Sequence, residues 1–248
     1  MDQIPQQPNQ TPIERPRHHW LRIIGIFFIV LVVVGLIAFG WLWRQYQQSL
    51  TALTTLVPAE VVANTTTTKS IIRERLEKSG RPEFGNPLAN VVIVEFADFQ
   101  CPYCTREFPI IREIANQYHD TVRFIYRQYP IEDERSLGIS EAALCAHEQQ
   151  KFWQFHDRLF FAHDRLVNDP ELVIADAARQ SGVNGEQFEE CRRSGRQQSD
   201  VLEDAQDAVD LGVRGTPTFF INGNKLEGVV TLDQWRQIID QALKVTQE

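Results

Sequence analysis

The chain has 248 residues, with 25 lysines and arginines against 33 aspartates and glutamates, for a net charge of −8. This length suits one domain with an insertion, preceded by extra N-terminal sequence. The acidic balance and the lack of a basic stripe along the sequence exclude nucleic acid as an expected partner.

The N-terminal part of the chain is a polar stretch followed by a long apolar one. Residues 1–20 are rich in proline and glutamine and are predicted to form a disordered cytoplasmic tail. Ile23–Trp43 is an uncharged, mostly apolar run of 21 residues, which as a helix would span about 31 Å. No small-x-small cleavage site follows it, so the segment 21–43 is predicted to be a retained transmembrane signal anchor rather than a cleaved signal peptide.

Positive charges favour the N-terminal side of this apolar run. Arg15, Arg17 and Arg22 precede it, whereas a single arginine follows it closely. The positive-inside rule therefore predicts a cytoplasmic N-terminus and an extracytoplasmic remainder, in a single-pass protein of a bacterial plasma membrane. We expect residues 44–84 to form a tether with one short helix, and residues 85–248 to form the folded domain.

A pair of cysteines follows the first clear strand. The apolar run Val91–Phe96 predicts a buried strand, and Cys101-Pro102-Tyr103-Cys104 comes soon after it. A helix that starts at this motif would stabilise a thiolate through its unpaired N–H groups and its dipole, which lowers the pKa of the thiol. The chemistry that this predicts is thiol–disulfide exchange. A zinc site would need two further cysteine or histidine ligands at short spacing, and the sequence has none, so no metal is expected.

The remaining elements alternate between strands and helices. The helix after the cysteines contains Pro109, which should kink it, and a second strand over Val122–Tyr129 follows. A helical stretch occupies about residues 131–212. A hairpin over Phe219–Glu227 then leads to a last helix, which begins with a capping box at Thr231. The predicted order is βαβ, a helical insertion and ββα, which indicates an α/β fold.

This order, together with particular residues, resembles the thioredoxin fold and, more closely, the DsbA-like thiol–disulfide oxidoreductases. The resemblance covers about residues 85–245 and is carried by VVIVEFADFQCPYC, Pro109, Gly215–Phe219 and ALCAHEQQKFWQFHDRLF. It implies an α/β thioredoxin fold with a helical insertion and an enzyme that exchanges disulfides with cysteine-containing extracytoplasmic proteins. It also implies a membrane redox partner and no cofactor beyond the active-site disulfide.

The resemblance assigns roles to individual residues. Cys101 matches the exposed attacking cysteine of the family, and Cys104 matches the buried resolving cysteine. Pro217 matches the cis-proline that packs against the active-site disulfide and presents its neighbours' backbone to an extended substrate. The residues that we expect to contact substrate are Thr216, Pro102 and Tyr103.

Glu95 interrupts the first strand six positions before Cys101. A carboxylate in a strand that is buried on both faces is costly unless it has a partner or a task. In the resembled family an acidic residue at this place lies beneath the disulfide and helps to move the proton of the buried thiol. We therefore expect Glu95 to be catalytic, the alternative being a strand that ends early and leaves it in water. Asp98 is expected to be a turn residue before the helix.

Two further cysteines, Cys145 and Cys191, lie 46 positions apart in the predicted insertion. An oxidising compartment and an even number of cysteines favour a structural disulfide between them, which requires two different helices to meet. The alternatives are two unpaired buried cysteines and a redox relay to the active site.

The sequence leaves the direction of exchange open. We expect an oxidase, with a disulfide isomerase or reductase fed by a membrane electron donor as the alternative. Pro102-Tyr103 between the cysteines and Thr216 before the proline resemble residues that isomerases and reductases of this group use. A different class is a non-enzymatic tethered binding module in which the cysteine pair is only a structural clip. Such a clip would react slowly with mild reductant, which distinguishes it from an active site.

Overall fold

The computed structural model describes residues 19–55 and 71–246, which belong to two compact units, Met1–Asn64 and Thr65–Glu248. In the first unit, helix α1 covers His19–Thr55. Within the set of described side chains, no helix is long and apolar enough to cross a membrane.

That finding gives no support to the transmembrane helix predicted over Ile23–Trp43, a segment that includes side chains outside the described set. The predicted disordered tail also lies outside the described residues, apart from its last two positions. Within the predicted tether, residues 56–70 lie outside them as well.

The second unit contains a five-stranded sheet with helices on both faces. Helix α2 is described over residues 71–76 and precedes the first strand. The strands are β1 Glu83–Gly85, β2 Val91–Ala97, β3 Val122–Gln128, β4 Thr218–Ile221 and β5 Asn224–Glu227. The helices that follow β2 are α3 Pro102–Gln117, α4 Ser136–Glu148, α5 Phe152–Phe161, α6 His163–Asn168, α7 Pro170–Ser181, α8 Gly185–Ser194, α9 Gln198–Asp210 and α10 Leu232–Val245.

The sheet has the strand order β1-β3-β2-β4-β5. Strands β2 and β3 are parallel, and every other neighbouring pair in this sheet is antiparallel. A parallel pair needs a long crossover, which α3 provides while running without interruption through Pro109. This arrangement confirms the α/β class expected from the sequence. Strand β1 was not predicted, because its three residues are too few to show an alternating pattern.

The sheet face that carries α3 and α10 has a dense apolar core. Phe219 of β4 meets Trp235 of α10 edge-on, with 4.9 Å between the ring centroids. Helix α10 begins with the predicted capping box, in which the side chains of Thr231 and Gln234 each accept a hydrogen bond from the other residue's backbone N–H. The box satisfies two N–H groups that the helix start would otherwise leave unpaired. This face therefore places α3, and the cysteines at its start, firmly on the sheet.

Helices α4 to α9 form the insertion, which packs around the C-terminal end of β2. Its core includes Phe155 and Phe160, which pack in one cluster with Phe99 and both active-site cysteines. Helix α9 is held to the sheet by the buried carboxylate of Asp204, whose Oδ1 accepts from Nε of Arg127 on β3 at 2.7 Å. The insertion thus forms part of the wall around the start of α3.

Candidate active site

A tight turn after β2 sets the start of α3. The Asp98 carboxylate accepts hydrogen bonds from the N–H groups of Gln100 at 2.9 Å, Ile131 at 2.8 Å and Glu132 at 2.9 Å. The Asp98 carbonyl accepts from the Cys101 N–H at 3.1 Å. Asp98 is therefore the turn residue that the sequence predicted, and it also ties the turn to the segment that follows β3.

Both active-site cysteines are free thiols. Cys101 is the N-cap of α3, and Cys104 lies in the first turn of that helix. The resemblance implied an exposed Cys101, and this expectation is wrong, because the side chain is 0% exposed. Its sulfur lies 3.3 Å from the carbonyl oxygen of Thr216, whose backbone covers it. A substrate disulfide must therefore contact the backbone around Thr216 before it reaches the Cys101 sulfur.

The two thiols have opposite acidities. The pKa of Cys101 is lowered to about 7, chiefly by the hydrogen bond from the Cys104 thiol, with smaller contributions from backbone N–H groups of the first helical turn. Burial raises the pKa of the Cys104 thiol well above its ordinary value, and the bond to Cys101 raises it further. These acidities suit Cys101 to serve as a nucleophile and leaving group, and they favour the protonated form of Cys104.

In the fully reduced protein, we expect iodoacetamide to modify Cys101 with a midpoint near pH 7. The change Cys104→Ala removes the largest stabilising contact of the thiolate, so the midpoint should rise by about one pH unit. Mass spectrometry of quenched samples gives the modified fraction at each cysteine. A midpoint near the free-thiol value of about 8.5 in both proteins would contradict the assignment.

The segment around Pro217 lies beside the thiols. The peptide bond between Thr216 and Pro217 is cis, and the Pro217 carbonyl accepts from the N–H of Gly228 at 2.9 Å. The backbone N–H of Thr216 has no hydrogen-bond partner within the described part of the chain. An unpaired N–H next to the reactive sulfur can pair with an extended segment of a substrate.

The residues expected to contact substrate differ in exposure. Pro102 and Tyr103 are exposed, Tyr103 to 52%, whereas Thr216 is buried. The guanidinium carbon of Arg106 lies 4.5 Å from the centroid of the Tyr103 ring, a cation–π geometry. The surface next to the thiols is therefore an aromatic ring backed by a positive charge.

Glu95 lies on the sheet face that carries α3, in register with Tyr126 of the neighbouring strand. It is half-buried. Burial raises the pKa of Glu95 to about 8, and repulsion from Glu107 adds to the rise, with no hydrogen bond opposing it. The Glu95 charge also contributes to the raised pKa of Cys104. The structure therefore places Glu95 within electrostatic reach of the buried thiol.

Because the folded state holds Glu95 protonated up to about pH 8, its contribution to stability is present at acidic pH and is lost as the pH rises toward 8. We expect Glu95→Gln to remove this loss. The free energy of unfolding of the variant, measured relative to that of the wild type, should therefore rise by roughly 2–4 kcal/mol between pH 5 and pH 9. Urea unfolding of the oxidised proteins measures this difference, because in the disulfide state no thiol titrates over the same pH range. Glu113→Gln, an exposed change on α3, is the control, and identical pH profiles for all three proteins would refute the prediction.

Glu107 is a buried carboxylate that the sequence reasoning missed. It lies on α3 and accepts hydrogen bonds from Nε1 of Trp235 at 2.5 Å and from the N–H of Val230 at 2.9 Å. Burial raises the pKa of Glu107. Its position could have shown its burial, because it lies three residues after Cys104 and four before Ile111, which is the spacing of one helix face. Glu107 ties the helix of the cysteines to the start of α10.

The other two cysteines lie apart from this site. Cys145 and Cys191 form a disulfide that joins α4 to α8, with 5.7 Å between their Cα atoms. The structure thus brings together the pair that the sequence proposed, and leaves neither thiol free for a relay. Across the described ranges, no three side chains of the types that bind metals are grouped to hold an ion.

Residues 77–241 match the family model described as Thioredoxin. The crystal structure of a thioredoxin-like oxidoreductase from Silicibacter pomeroyi DSS-3 is similar, with a TM-score of 0.61 and 30% identity. The similarity covers 69% of this chain and 98% of that one.

Two curated relatives add detail. The protein described as Probable disulfide bond formation protein D of Bacillus anthracis is 26% identical over 191 residues, which cover 71% of this chain and 87% of that protein. Na(+)/H(+) antiporter NhaA 3 of Salinispora tropica is 36% identical over 151 residues, which cover 58% of this chain and 22% of the antiporter. The chain thus spans less than a quarter of the length of the antiporters that it matches.

Proposed function

The chain belongs to the thioredoxin family, and on that premise we propose that it is an oxidoreductase that exchanges disulfides with cysteine-containing substrate proteins. The observation that carries the proposal is the pair of thiols of opposite acidity at the start of α3, Cys101 and Cys104. The unpaired N–H of Thr216 beside them supports the docking of an extended protein segment.

The exchange follows from the two acidities. A substrate thiolate attacks Sγ of Cys101 in the oxidised pair, the new S–S bond forms, and the Cys101–Cys104 bond breaks. The electron pair goes to Cys104, whose high pKa favours its immediate protonation. A second substrate thiolate then attacks the substrate sulfur of the mixed disulfide and releases Cys101 as a thiolate, which its low pKa makes a good leaving group. The substrate gains a disulfide and the protein keeps two thiols.

We propose oxidation of substrates as the net direction. The name of the Bacillus anthracis relative, which describes disulfide bond formation, supports this direction. A reductase or isomerase supplied by a membrane electron donor is the second candidate, and the pKa of Cys101 favours it. A thiol with a pKa of about 7 is only half ionised at neutral pH, whereas strongly oxidising pairs stabilise the thiolate much further.

The reduction potential of the Cys101–Cys104 pair separates these functions. Equilibration with glutathione buffers and thiol trapping measures it. A value near about −120 mV supports the oxidase, and one near about −270 mV supports the reductase. A pair that neither equilibrates with glutathione nor catalyses insulin reduction or the refolding of a reduced protein would refute both enzymatic functions. It would support the alternative of a binding module in which the cysteine pair is only a structural clip.

An extracytoplasmic location behind an N-terminal membrane anchor, with a membrane redox partner, is part of the proposal. The uncharged run Ile23–Trp43 and the arginines before it support the anchor. A bridge between Cys145 and Cys191 would persist in an oxidising compartment. Carbonate extraction and protease treatment of spheroplasts test both points. A full-length protein that is extracted as soluble, or that resists added protease until the cells are lysed, would refute the location.

A further inference from the structure

The surface beside the thiols carries arginines that lack ion-pair partners. The chain has 33 aspartates and glutamates against 25 lysines and arginines, so an arginine on its surface usually has a carboxylate nearby. Among the arginines described in the second unit, those without a carboxylate at ion-pair distance are Arg106, Arg158, Arg193 and Arg214. Two of these, Arg106 and Arg214, belong to the two elements that border Cys101.

Arg106 lies in the second turn of α3 and is exposed. Its guanidinium carbon lies 4.5 Å from the centroid of the Tyr103 ring, which draws the charge back toward the start of the helix. Tyr103 is two positions after Cys101, so its level on the helix axis is about 3 Å from that of Cys101. The charge of Arg106 therefore adds to the partial positive charge of the helix N-terminus.

Arg214 comes from the segment that covers the sulfur of Cys101. It is exposed and lies two positions before Thr216, whose carbonyl oxygen is 3.3 Å from that sulfur. The acidic group on which Arg214 acts is Glu227, and that carboxylate is already paired with Lys225 at 2.9 Å. The charge of Arg214 makes the smallest contribution to the lowered pKa of Glu227. The positive charge of Arg214 is therefore not cancelled by this carboxylate.

A substrate segment that reaches Cys101 contacts both elements. It pairs with the free N–H of Thr216 on one side and meets the exposed Pro102 and Tyr103 on the other. An extended chain advances about 3.3 Å per residue. The residues within about three positions of the substrate cysteine, roughly 10 Å of chain, are therefore those that pass the two arginines. A carboxylate is the side-chain group that best matches a guanidinium in charge and geometry.

We propose that Arg106 and Arg214 select substrate segments that carry an aspartate or glutamate within about three residues of the reacting cysteine. The inference rests on the proposed function, because it names the substrate class of the same site. Since the Tyr103 ring already holds Arg106 in place, pairing with a substrate carboxylate costs less side-chain entropy than it would for a free arginine. Both arginines act on substrate choice and take no part in the exchange of sulfur.

The selection should be modest and should depend on salt. Exposed ion pairs strengthen an interaction by up to about fivefold, and charges at the rim of an interface act mainly on the rate of association. Salt screens such charges, because the Debye length falls to about 3 Å in 1 M salt. An acidic substrate should therefore react faster than a basic one at low salt, and this difference should disappear in 1 M salt.

Three single-cysteine peptides test the selection. They are identical except for aspartate, asparagine or lysine placed two positions before and two positions after the cysteine. Stopped-flow fluorescence follows the opening of the oxidised active site by each peptide at low salt. Each rate is divided by the rate of the same peptide with hydroxyethyl disulfide, an uncharged compound, so that differences between the peptide thiols cancel. We expect the wild type to prefer the aspartate peptide to the lysine peptide by about fivefold.

Charge-reversal variants locate the selection. Arg106→Glu should reverse the preference, whereas Arg106→Lys, which keeps the charge, should retain most of it. Arg214→Glu should also lower the preference. The matched control is Arg193→Glu, which makes the same charge change at an exposed position of α8 where Nε donates to the Glu189 carbonyl at 3.2 Å. The control should keep the wild-type preference. Any change in the reactivity of Cys101 cancels in the ratio, because all peptides attack the same sulfur.

Equal normalised rates for the three peptides with the wild type would overturn the inference. So would a preference for aspartate that survives Arg106→Glu and Arg214→Glu in one protein. A preference of the wild type for the lysine peptide would also overturn it, and would point instead to the exposed Glu132 and Glu134 after β3. Failure of the proposed function is distinguishable, because no peptide would then open the disulfide at a measurable rate.

Discussion

Replacing Cys101 with serine is expected to lower the rate of disulfide exchange by more than about a thousandfold. A serine hydroxyl is not ionised at neutral pH and cannot form the mixed disulfide, so no step of the exchange can start. Cys104→Ser should behave differently, because its Cys101 still attacks a substrate disulfide. That variant cannot resolve the product, and mixed disulfides with substrate proteins should accumulate on Cys101.

The two serine variants control for each other. Both changes replace a buried sulfur at the start of α3 with oxygen, so damage to the fold would affect them alike. Non-reducing gels and mass spectrometry measure the trapped complexes, and insulin reduction measures turnover. Trapping by Cys101→Ser rather than by Cys104→Ser would reverse the assignment of attacking and resolving cysteine. Unchanged turnover in both variants would refute an active site at this motif.

Removing the bridge between Cys145 and Cys191 should lower the free energy of unfolding by about 4 kcal/mol in the chain-entropy model. The bridge closes a loop of 46 positions, and its loss restores the freedom of that loop to the unfolded chain. For a domain of this size the melting temperature should fall by about 10 °C. Urea and thermal unfolding of the Cys145→Ala, Cys191→Ala double variant measure the change.

The exchange rate of the folded double variant should stay within about twofold of wild type, because the bridge supports the insertion and does not carry electrons. Unfolding in the presence of a strong reductant is the control. Under those conditions the wild type also lacks the bridge, and the difference in stability should nearly disappear. A large loss of exchange rate at full folding would favour the redox relay over a structural role.

The elements with a strong local pattern were predictable from the sequence. The run Val91–Phe96 reads as a strand because all of its side chains except that of Glu95 are apolar, and the structure places β2 there. The capping box at Thr231 fixed the start of α10, since capping depends on residues three positions apart. The short strand β1 could not be found, because its pairing with β3 is a long-range contact without a local pattern.

The sequence by itself indicated the chemistry of this protein, since a cysteine pair at a strand-to-helix junction favours a thiolate at the first cysteine, next to the helix N-terminus. Tertiary structure alone decided how that chemistry is enclosed. The Thr216 backbone covers Cys101 from a segment 115 positions away, and Trp235 reaches Glu107 across 128 positions. Glu95, Tyr126 and Arg112 line one crevice although they belong to three separate elements. Burial and the pKa values that follow from it depend on such distant neighbours, and a local pattern of residues cannot specify them.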